Sequence, residues 1–259
     1  MKKKILVQGI AFDEKSSFMQ GPAQAPSLIR EFFHSKSSNY FAENGKEITP
    51  DIYHDLGDFN ITDFQQIEKI AAQNLEKGDY LFTLGGDHSI TYPILKSLKQ
   101  KHAEFQILHI DAHSDLYHEF DGDPYSHACP FARIMEEKLA SHLIQVGVRT
   151  LNPHQREQIK KFNVAIQEMK DFDISKIVYK DMPVYISLDM DGFDPGFAPG
   201  VSHHEPGGLS PRQVINMLYN IKNPIIGADI VEYNPTRDHQ NITAALAAKM
   251  MKEMLALFA

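Results

Sequence analysis

Short apolar runs alternate with amphipathic segments along almost the whole chain. Several of the runs, such as 107–110 and 184–188, carry apolar residues on both faces. Strands of this kind are buried on both faces, which is typical of a mostly parallel sheet that helices cover on both sides. The pattern therefore predicts an α/β fold. The predicted strands are 5–12, 80–84, 107–110, 142–150, 184–188 and 225–230.

The segments between these strands show helical periodicity. In the segment 64–76, for example, apolar residues recur three and four positions apart. Ser210 followed by Pro211 is typical of a helix start. The predicted helices are 22–33, 64–76, 89–100, 127–139, 153–161, 211–220 and 243–257. Because no repeat, low-complexity segment or Pro/Gly-rich linker interrupts the pattern, we expect one domain over residues 1–259.

Composition and charge exclude several classes of protein. The formal net charge is −8, and the only run of basic residues is Lys2-Lys3-Lys4, so we expect no nucleic-acid partner. Cys129 is the only cysteine, which excludes an internal disulfide. The first apolar run is short and ends at Asp13, which favours a strand over a signal peptide. No run of 18 apolar residues occurs, and we expect a cytoplasmic protein with no membrane association.

Acidic and histidine side chains follow four of the predicted strands. Because the carboxyl ends of parallel strands lie at one edge of a sheet, where ligands bind in open α/β folds, these side chains should meet. Alternate residues of an extended chain also share a face. The residues at these four strand ends are Asp87, His88, Asp111, His113, Asp115, Asp189, Asp191 and Glu232.

The composition of this group indicates a metal site. Each motif alone is equally consistent with a hydrogen-bonded structural cluster, but their coincidence at successive strand ends favours metal binding. Carboxylates and imidazoles without a thiolate suit Mn²⁺, Fe²⁺, Co²⁺ or Zn²⁺ in a catalytic site. Six ligands suffice for two ions, which can share and acidify one water molecule. The predicted ligands are His88, Asp111, His113, Asp115, Asp189 and Asp191.

Three of the motifs resemble the signatures of the ureohydrolases, the binuclear-manganese family of arginases and agmatinases. They are GGDHS at 85–89, DAHSD at 111–115 and SLDMDGFDP at 187–195, and GADIVEYNP at 227–235 is similar to the strand end that anchors the substrate in this family. The stretches 125–137 and 198–210 are most similar to the plant-type arginase and agmatinase-like branch.

The resemblance implies a three-layer α/β/α sandwich with a parallel sheet of about eight strands. It also implies two Mn²⁺ ions per subunit, a homo-oligomer that is a trimer or hexamer, and a small cationic guanidino substrate that is hydrolysed to urea and an amine. Asp115 and Asp189 are the expected bridging ligands, so Asp115 also counts among the catalytic residues.

Further roles follow from the resemblance. Glu232 is expected to pair with the guanidinium group, and His127 to shuttle protons. Asp194 is expected to hold the loop after the Asp-x-Asp pair. His203 replaces a threonine that is common in the family, and we expect it to line the pocket and affect specificity. His109, like four other histidines, is interpreted as a packing or surface residue.

The loop 116–127 bears on the substrate. It contains Glu119, Asp121 and Asp123 but no Arg, Lys or Asn. Asp123 would attract a cationic tail and repel an α-carboxylate, so the loop favours agmatine, which would give putrescine and urea. The alternatives are L-arginine or another guanidino or formimino acid. A non-catalytic metal-binding protein is disfavoured, because every expected ligand position is filled.

Overall fold

The chain forms one eight-stranded parallel sheet with helices on both faces. A computed structural model describes residues 4–258. Its strands are β1 (Ile5–Ala11), β2 (Tyr53–Asn60), β3 (Tyr80–Leu84), β4 (Gln106–Ile110), β5 (His142–Val146), β6 (Ala165–Gln167), β7 (Val184–Asp189) and β8 (Ile225–Val231). Its helices, apart from short 3₁₀ turns, are α1 (Ala25–Phe33), α2 (Gln65–Leu75), α3 (Thr91–Lys99), α4 (Pro130–Glu136), α5 (Pro153–Phe162), α6 (Pro211–Asn220) and α7 (Ile242–Leu255). The predicted three-layer α/β/α sandwich is confirmed.

Two hydrophobic cores lie on opposite faces of the sheet. One core is formed with α1, α6 and α7, and the other with α2, α3 and α4. Successive residues of a strand alternate between them, as Ile186 enters the first core and Tyr185 the second. Burial on both faces explains why the central strands are apolar at almost every position.

The order of the strands across the sheet is β2-β1-β3-β8-β7-β4-β5-β6. The four strands that end in the acidic and histidine motifs are β3, β8, β7 and β4, which are consecutive neighbours at the centre of the sheet. All their pairings are parallel. The motifs therefore lie side by side at one edge, as the sequence predicts, although their order in the chain differs from their order in space.

The two strands that the sequence analysis missed are the two outermost ones. The residues of β2 are mostly polar and largely half-buried or exposed, and β6 has only three residues. An outermost strand pairs on one side only and is covered less, so it lacks the continuous apolar pattern of a central strand. The predicted helix at 127–139 begins instead at Pro130, which leaves His127 in the loop after β4.

The loop that follows β1 packs directly on the motif that follows β3. A Cβ atom on Gly86 would lie 1.8 Å from the carbonyl oxygen of Phe12, so the two backbones can approach this closely only with glycine. The Asp87 amide donates to the same Phe12 carbonyl at 2.9 Å. Residues 12–21 are thereby brought to the edge of the sheet that carries the motifs. Across residues 4–258, no helix has the length and apolarity that a membrane span requires.

Candidate active site

His88 lies at the centre of the first group of predicted metal ligands. Its Nδ1 atom is 3.3 Å from Asp111 Oδ2, 3.2 Å from Asp115 Oδ2 and 3.1 Å from Asp189 Oδ2. All four side chains are buried. Three carboxylate oxygens facing one imidazole nitrogen form a donor set that suits a divalent cation.

His113 lies at the centre of the second group. Its Nδ1 atom is 3.3 Å from Asp111 Oδ1 and 3.1 Å from Asp191 Oδ2. Among the described residues, two clusters of side chains could each hold an ion, and Asp111 belongs to both. The first cluster consists of His88, His109, Asp111 and Asp115, and the second of Asp111, His113 and Asp191. The geometry therefore places Asp111 between the two positions, whereas Asp115 belongs to the first cluster alone, unlike the bridging role expected for it.

The carboxylates of this site repel one another. Burial raises the pKa of Asp189 well above its ordinary value, and the charges of Asp191 and Asp111 raise it further. Asp115 has a backbone φ of 47° and Glu232 one of 61°, conformations that are uncommon outside glycine and cluster at functional sites. A bound cation would relieve the repulsion, so the residues present fit a metal centre.

Polar side chains behind His88 fix which of its nitrogens faces the site. Its Nε2 atom lies 2.9 Å from Ser187 Oγ, and the Ser187 hydroxyl donates to Asp229 Oδ1 at 2.6 Å. Asp229 also accepts from the hydroxyls of Tyr185 and Thr91. Because the Ser187 proton is committed to Asp229, Nε2 of His88 carries the proton, and Nδ1 has the lone pair that a metal requires.

His109 contacts the site in a way that the sequence interpretation missed. It is fully buried, and its Nε2 atom lies 2.7 Å from Asp111 Oδ2. Its Nδ1 atom accepts from the Gln145 amide at 3.0 Å, and its ring stacks on Phe131 with centroids 3.8 Å apart. His109 thus donates to Asp111 and orients it. Its position two residues before Asp111, on the same face of the strand, was the available signal.

We predict that His109→Phe weakens the binding of a divalent cation at this site. Removing a group that orients a ligand typically lowers metal affinity by about 10- to 100-fold. The aromatic ring preserves the packing on Phe131 but cannot donate to Asp111. Isothermal titration with Mn²⁺ measures the effect, with His142→Phe at the amino end of β5 as the control. An unchanged affinity would mean that His109 only packs.

His127 and Glu232 form a buried pair beside the metal ligands. His127 Nδ1 lies 2.8 Å from Glu232 Oε1, which also accepts from the backbone N–H of His88 at 2.8 Å. Burial alone would lower the pKa of His127, but the charge of Glu232 and the hydrogen bond to it outweigh burial and raise this pKa to about 9. At neutral pH the pair therefore consists of an imidazolium and a carboxylate.

We predict that this ion pair makes stability depend on pH. The pKa of His127 is about 9 in the folded protein and 6.5 in its ordinary state. Protonation of His127 therefore stabilises the fold fully below pH 6.5, and this stabilisation is lost as the pH rises through about 9. In metal-free protein, the difference in unfolding free energy between wild type and His127→Gln should shrink over this interval by about 3 kcal/mol. Urea unfolding at constant salt measures it, with the exposed His239→Gln as the control. A difference that does not change with pH would contradict the prediction.

A cavity of about 230 Å³ opens onto these groups. It is lined by Asp115, Asp189, Asp191 and His113 from the predicted metal ligands, and by both members of the His127–Glu232 pair. Ser17, Thr150, Gln155 and His203 also line it. The His203 ring lies between Phe18 and the two site histidines, with its centroid 5.8 Å from that of His113 and 5.7 Å from that of His127.

Asp123 does not line this cavity, contrary to the expectation from the loop sequence. It forms an ion pair with Lys15 at 2.6 Å and accepts from the backbone N–H of Tyr125. Its charge is therefore neutralised by a residue 108 positions away in the chain. Asp194 holds its loop as expected, because it accepts from the amides of Gly196, Gly207 and Gly208.

Known proteins share both the sequence and the fold. A model of the Arginase family matches residues 3–256. Arginase 2 of Arabidopsis thaliana is 41% identical over 96% of this chain and 78% of its own length, and an agmatinase of Bacillus anthracis is 27% identical over 98% and 91%. The solved structure of an arginase from Medicago truncatula, 39% identical, superposes with a TM-score of 0.91 over 99% of this chain and 87% of that one.

Proposed function

We propose a substrate and a mechanism from one premise: the chain belongs to the arginase family. It is a ureohydrolase, an enzyme that hydrolyses guanidino C–N bonds, and it has a site of the binuclear-metal type. Within the family we propose that it is an arginase, which converts L-arginine to ornithine and urea.

The observation that carries this proposal is the difference in similarity between two kinds of relative. Plant arginases are 40–42% identical to the chain, whereas the agmatinases of Bacillus anthracis and Bacillus cereus are 27% identical. Agmatine, the substrate that the loop sequence favoured, is therefore less well supported than its alternative. The ion pair between Asp123 and Lys15 agrees with this. The preference for agmatine depended on an unpaired Asp123 carboxylate, and this carboxylate is paired with Lys15.

The neutral polar groups of the cavity suit an amino acid substrate. Thr150 contributes a hydroxyl, and Gln155 contributes an amide. Such groups can donate to an α-carboxylate without a formal charge. They support arginine over agmatine, which has no carboxylate.

We further propose two Mn²⁺ ions as the cofactor. The donors are carboxylate oxygens and imidazole nitrogens with no thiolate, which suits Mn²⁺ among other divalent ions. His88, Asp111 and Asp115 would hold one ion, and Asp111, His113 and Asp191 the other. Asp189, whose Oδ2 lies 3.1 Å from His88 Nδ1, would also contribute to the first. When bound, such ions supply Lewis acidity, because they lower the pKa of water and offset negative charge that develops on the substrate.

The remaining residues orient the substrate and move a proton. Oε1 of Glu232 accepts from both His127 and the His88 amide, which leaves Oε2 to pair with the guanidinium group. This pair would hold the guanidinium carbon over the metal ligands. The imidazolium of His127 then supplies the proton that the leaving amine requires.

Urea release measured with Mn²⁺ present tests the substrate. We expect kcat/KM for L-arginine to exceed that for agmatine by at least about tenfold, the effect of about 1.4 kcal/mol. Guanidinobutyrate serves as a substrate that keeps a carboxylate but lacks the α-amino group. Formimidoylglutamate is followed by formamide release. A higher kcat/KM for agmatine than for arginine would refute the proposal.

A further inference from the structure

Ser17 contacts the nitrogen of His127 that faces away from Glu232. Its Oγ atom lies 2.8 Å from His127 Nε2, while His127 Nδ1 lies 2.8 Å from Glu232 Oε1. The three side chains therefore form one continuous hydrogen-bonded row. Glu232 and His127 are buried, whereas Ser17 is exposed and lines the cavity. None of the motifs that identify the family includes Ser17.

The position of Ser17 is set by the same segments that carry the site. Asp87 Oδ2 accepts from the Lys15 amide at 2.9 Å, and the His127 amide donates to the Lys15 carbonyl at 3.1 Å. Lys15 is thus bonded both to the neighbour of His88 and to His127 itself. Together with the close contact between Phe12 and Gly86, these bonds fix the backbone that presents Ser17.

The chemistry of a hydroxyl suits this position. Nδ1 of His127 keeps its proton, because it donates a hydrogen bond to Glu232. Nε2 is therefore the nitrogen that gains and loses a proton during a reaction. A hydroxyl both donates and accepts. Ser17 can therefore accept from Nε2 when His127 is an imidazolium and donate to Nε2 when it is neutral, and the bond persists in both states.

The part of the substrate nearest Ser17 would be the amine nitrogen that leaves. If Glu232 binds the guanidinium group at the buried end of the row, the rest of the substrate must extend toward solvent. The amine nitrogen that leaves lies on that outward side of the guanidinium carbon. Ser17 occupies the outward end of the row and is thus on the same side as the leaving amine.

We propose that the Ser17 hydroxyl relays a proton between His127 and the leaving amine. This inference rests on the proposed function. Water first adds to the guanidinium carbon and releases a proton to solvent. As the C–N bond of this adduct breaks, the added oxygen forms the carbonyl of urea and gives up its remaining proton to solvent, while the C–N electron pair stays on the amine nitrogen, which takes the hydroxyl proton of Ser17. Ser17 Oγ takes the proton from Nε2 of His127 at the same time. The serine hydroxyl is regenerated, His127 becomes neutral, and solvent later returns one proton to it.

Three variants test the relay. Ser17→Ala removes the hydroxyl, and Ser17→Thr keeps it. Ser16→Ala is the matched control, since the Ser16 hydroxyl lies 3.5 Å from Asp87 Oδ2 and its amide donates to the Asp13 carbonyl. General acid catalysis contributes about 10²- to 10⁴-fold, and His127 would still transfer its proton directly though less efficiently, so we expect kcat of Ser17→Ala to fall by about 10- to 100-fold. KM should change less than about twofold, Ser17→Thr should recover most of kcat, and Ser16→Ala should match wild type.

A proton inventory in mixtures of H₂O and D₂O separates the relay from a structural role. With two protons in flight, the dependence of kcat on deuterium content should be curved in wild type and Ser17→Thr, and linear in Ser17→Ala. An unchanged kcat in Ser17→Ala would overturn the relay. So would a raised KM with an unchanged kcat, because Ser17 would then only bind substrate.

Comparing arginine with agmatine as the substrate keeps the test of the relay separate from the test of the proposed function. If wild type prefers agmatine, the arginase proposal fails, and the same variants are compared on agmatine. Nitrogen-15 NMR of the histidines in the absence of substrate checks the contact itself. The Nε2 signal of His127 should shift in Ser17→Ala and not in Ser16→Ala. An unshifted signal would refute the bond on which the relay depends.

Discussion

Replacing Asp111 with asparagine should remove nearly all hydrolytic activity while leaving the protein folded. Asp111 faces both His88 and His113 and is the shared member of the two clusters. Losing its charge weakens both ion positions at once. Because bound metal ions stabilise the transition state by several kcal/mol, we expect kcat/KM to fall by about 10³-fold.

Thermal unfolding with and without Mn²⁺ gives a readout that is independent of activity. A ligand that binds only the folded state raises the melting temperature, so wild type should be stabilised by Mn²⁺ and Asp111→Asn much less. Without metal, Asp111→Asn should be less stable than wild type, because His109, His113 and His88 outweigh burial and hold the pKa of Asp111 well below its ordinary value. The exposed Asp181→Asn is the control. An Mn²⁺-dependent stabilisation equal to that of wild type would contradict the shared role of Asp111.

Replacing Glu232 with glutamine should have a comparable effect on activity for a different reason. The substitution keeps the shape of the side chain but removes the charge that faces the guanidinium group and His127. Losing one partner of a buried, hydrogen-bonded charge pair between protein and ligand costs about 2–5 kcal/mol, which corresponds to a loss of about 30- to 5,000-fold in kcat/KM.

The affinity for Mn²⁺ distinguishes Glu232→Gln from Asp111→Asn. Glu232 lies beside the metal ligands and contacts His88 only through its backbone amide. We therefore expect Glu232→Gln to bind Mn²⁺ within about threefold of wild type, which is a small difference on the free-energy scale of ligand binding. The exposed Glu157→Gln serves as the control. A large loss of Mn²⁺ binding would show instead that Glu232 is a metal ligand.

The central part of the fold was predictable because burial leaves a strong mark on sequence. The strands at the centre of the sheet are covered on both faces, and their continuous apolar runs could be recognised without a structure. The outermost strands β2 and β6 could not, since each pairs on one side and has little apolar character. The sequence pattern predicts that residues 127–129 are helical, whereas the structure begins that helix at Pro130.

The predicted metal ligands could be recognised because their arrangement is local. Asp111, His113 and Asp115 alternate directly after one strand, and Asp189 and Asp191 alternate after another. The structure brings all six predicted ligands together. His203 and the His127–Glu232 pair also line the cavity, as expected.

Contacts between distant segments were beyond the reach of sequence patterns. The carboxylate of Asp123 suggested a cationic substrate until Lys15 proved to be its partner. His109 suggested packing until Gln145 and Asp111 proved to lie on either side of its ring. In each case the second residue comes from another loop or strand, and no periodicity relates the two positions.

The sequence by itself determined the class of fold, the edge of the sheet that carries the site and a group of side chains that could hold metal. These properties depend on alternation and burial within single strands, which short-range patterns record. Only the tertiary structure decided that β3, β8, β7 and β4 are neighbours, that Asp111 is shared, and that Ser17 meets His127. Those properties depend on how separate segments pack against one another. Such packing is determined by contacts between residues far apart in the sequence.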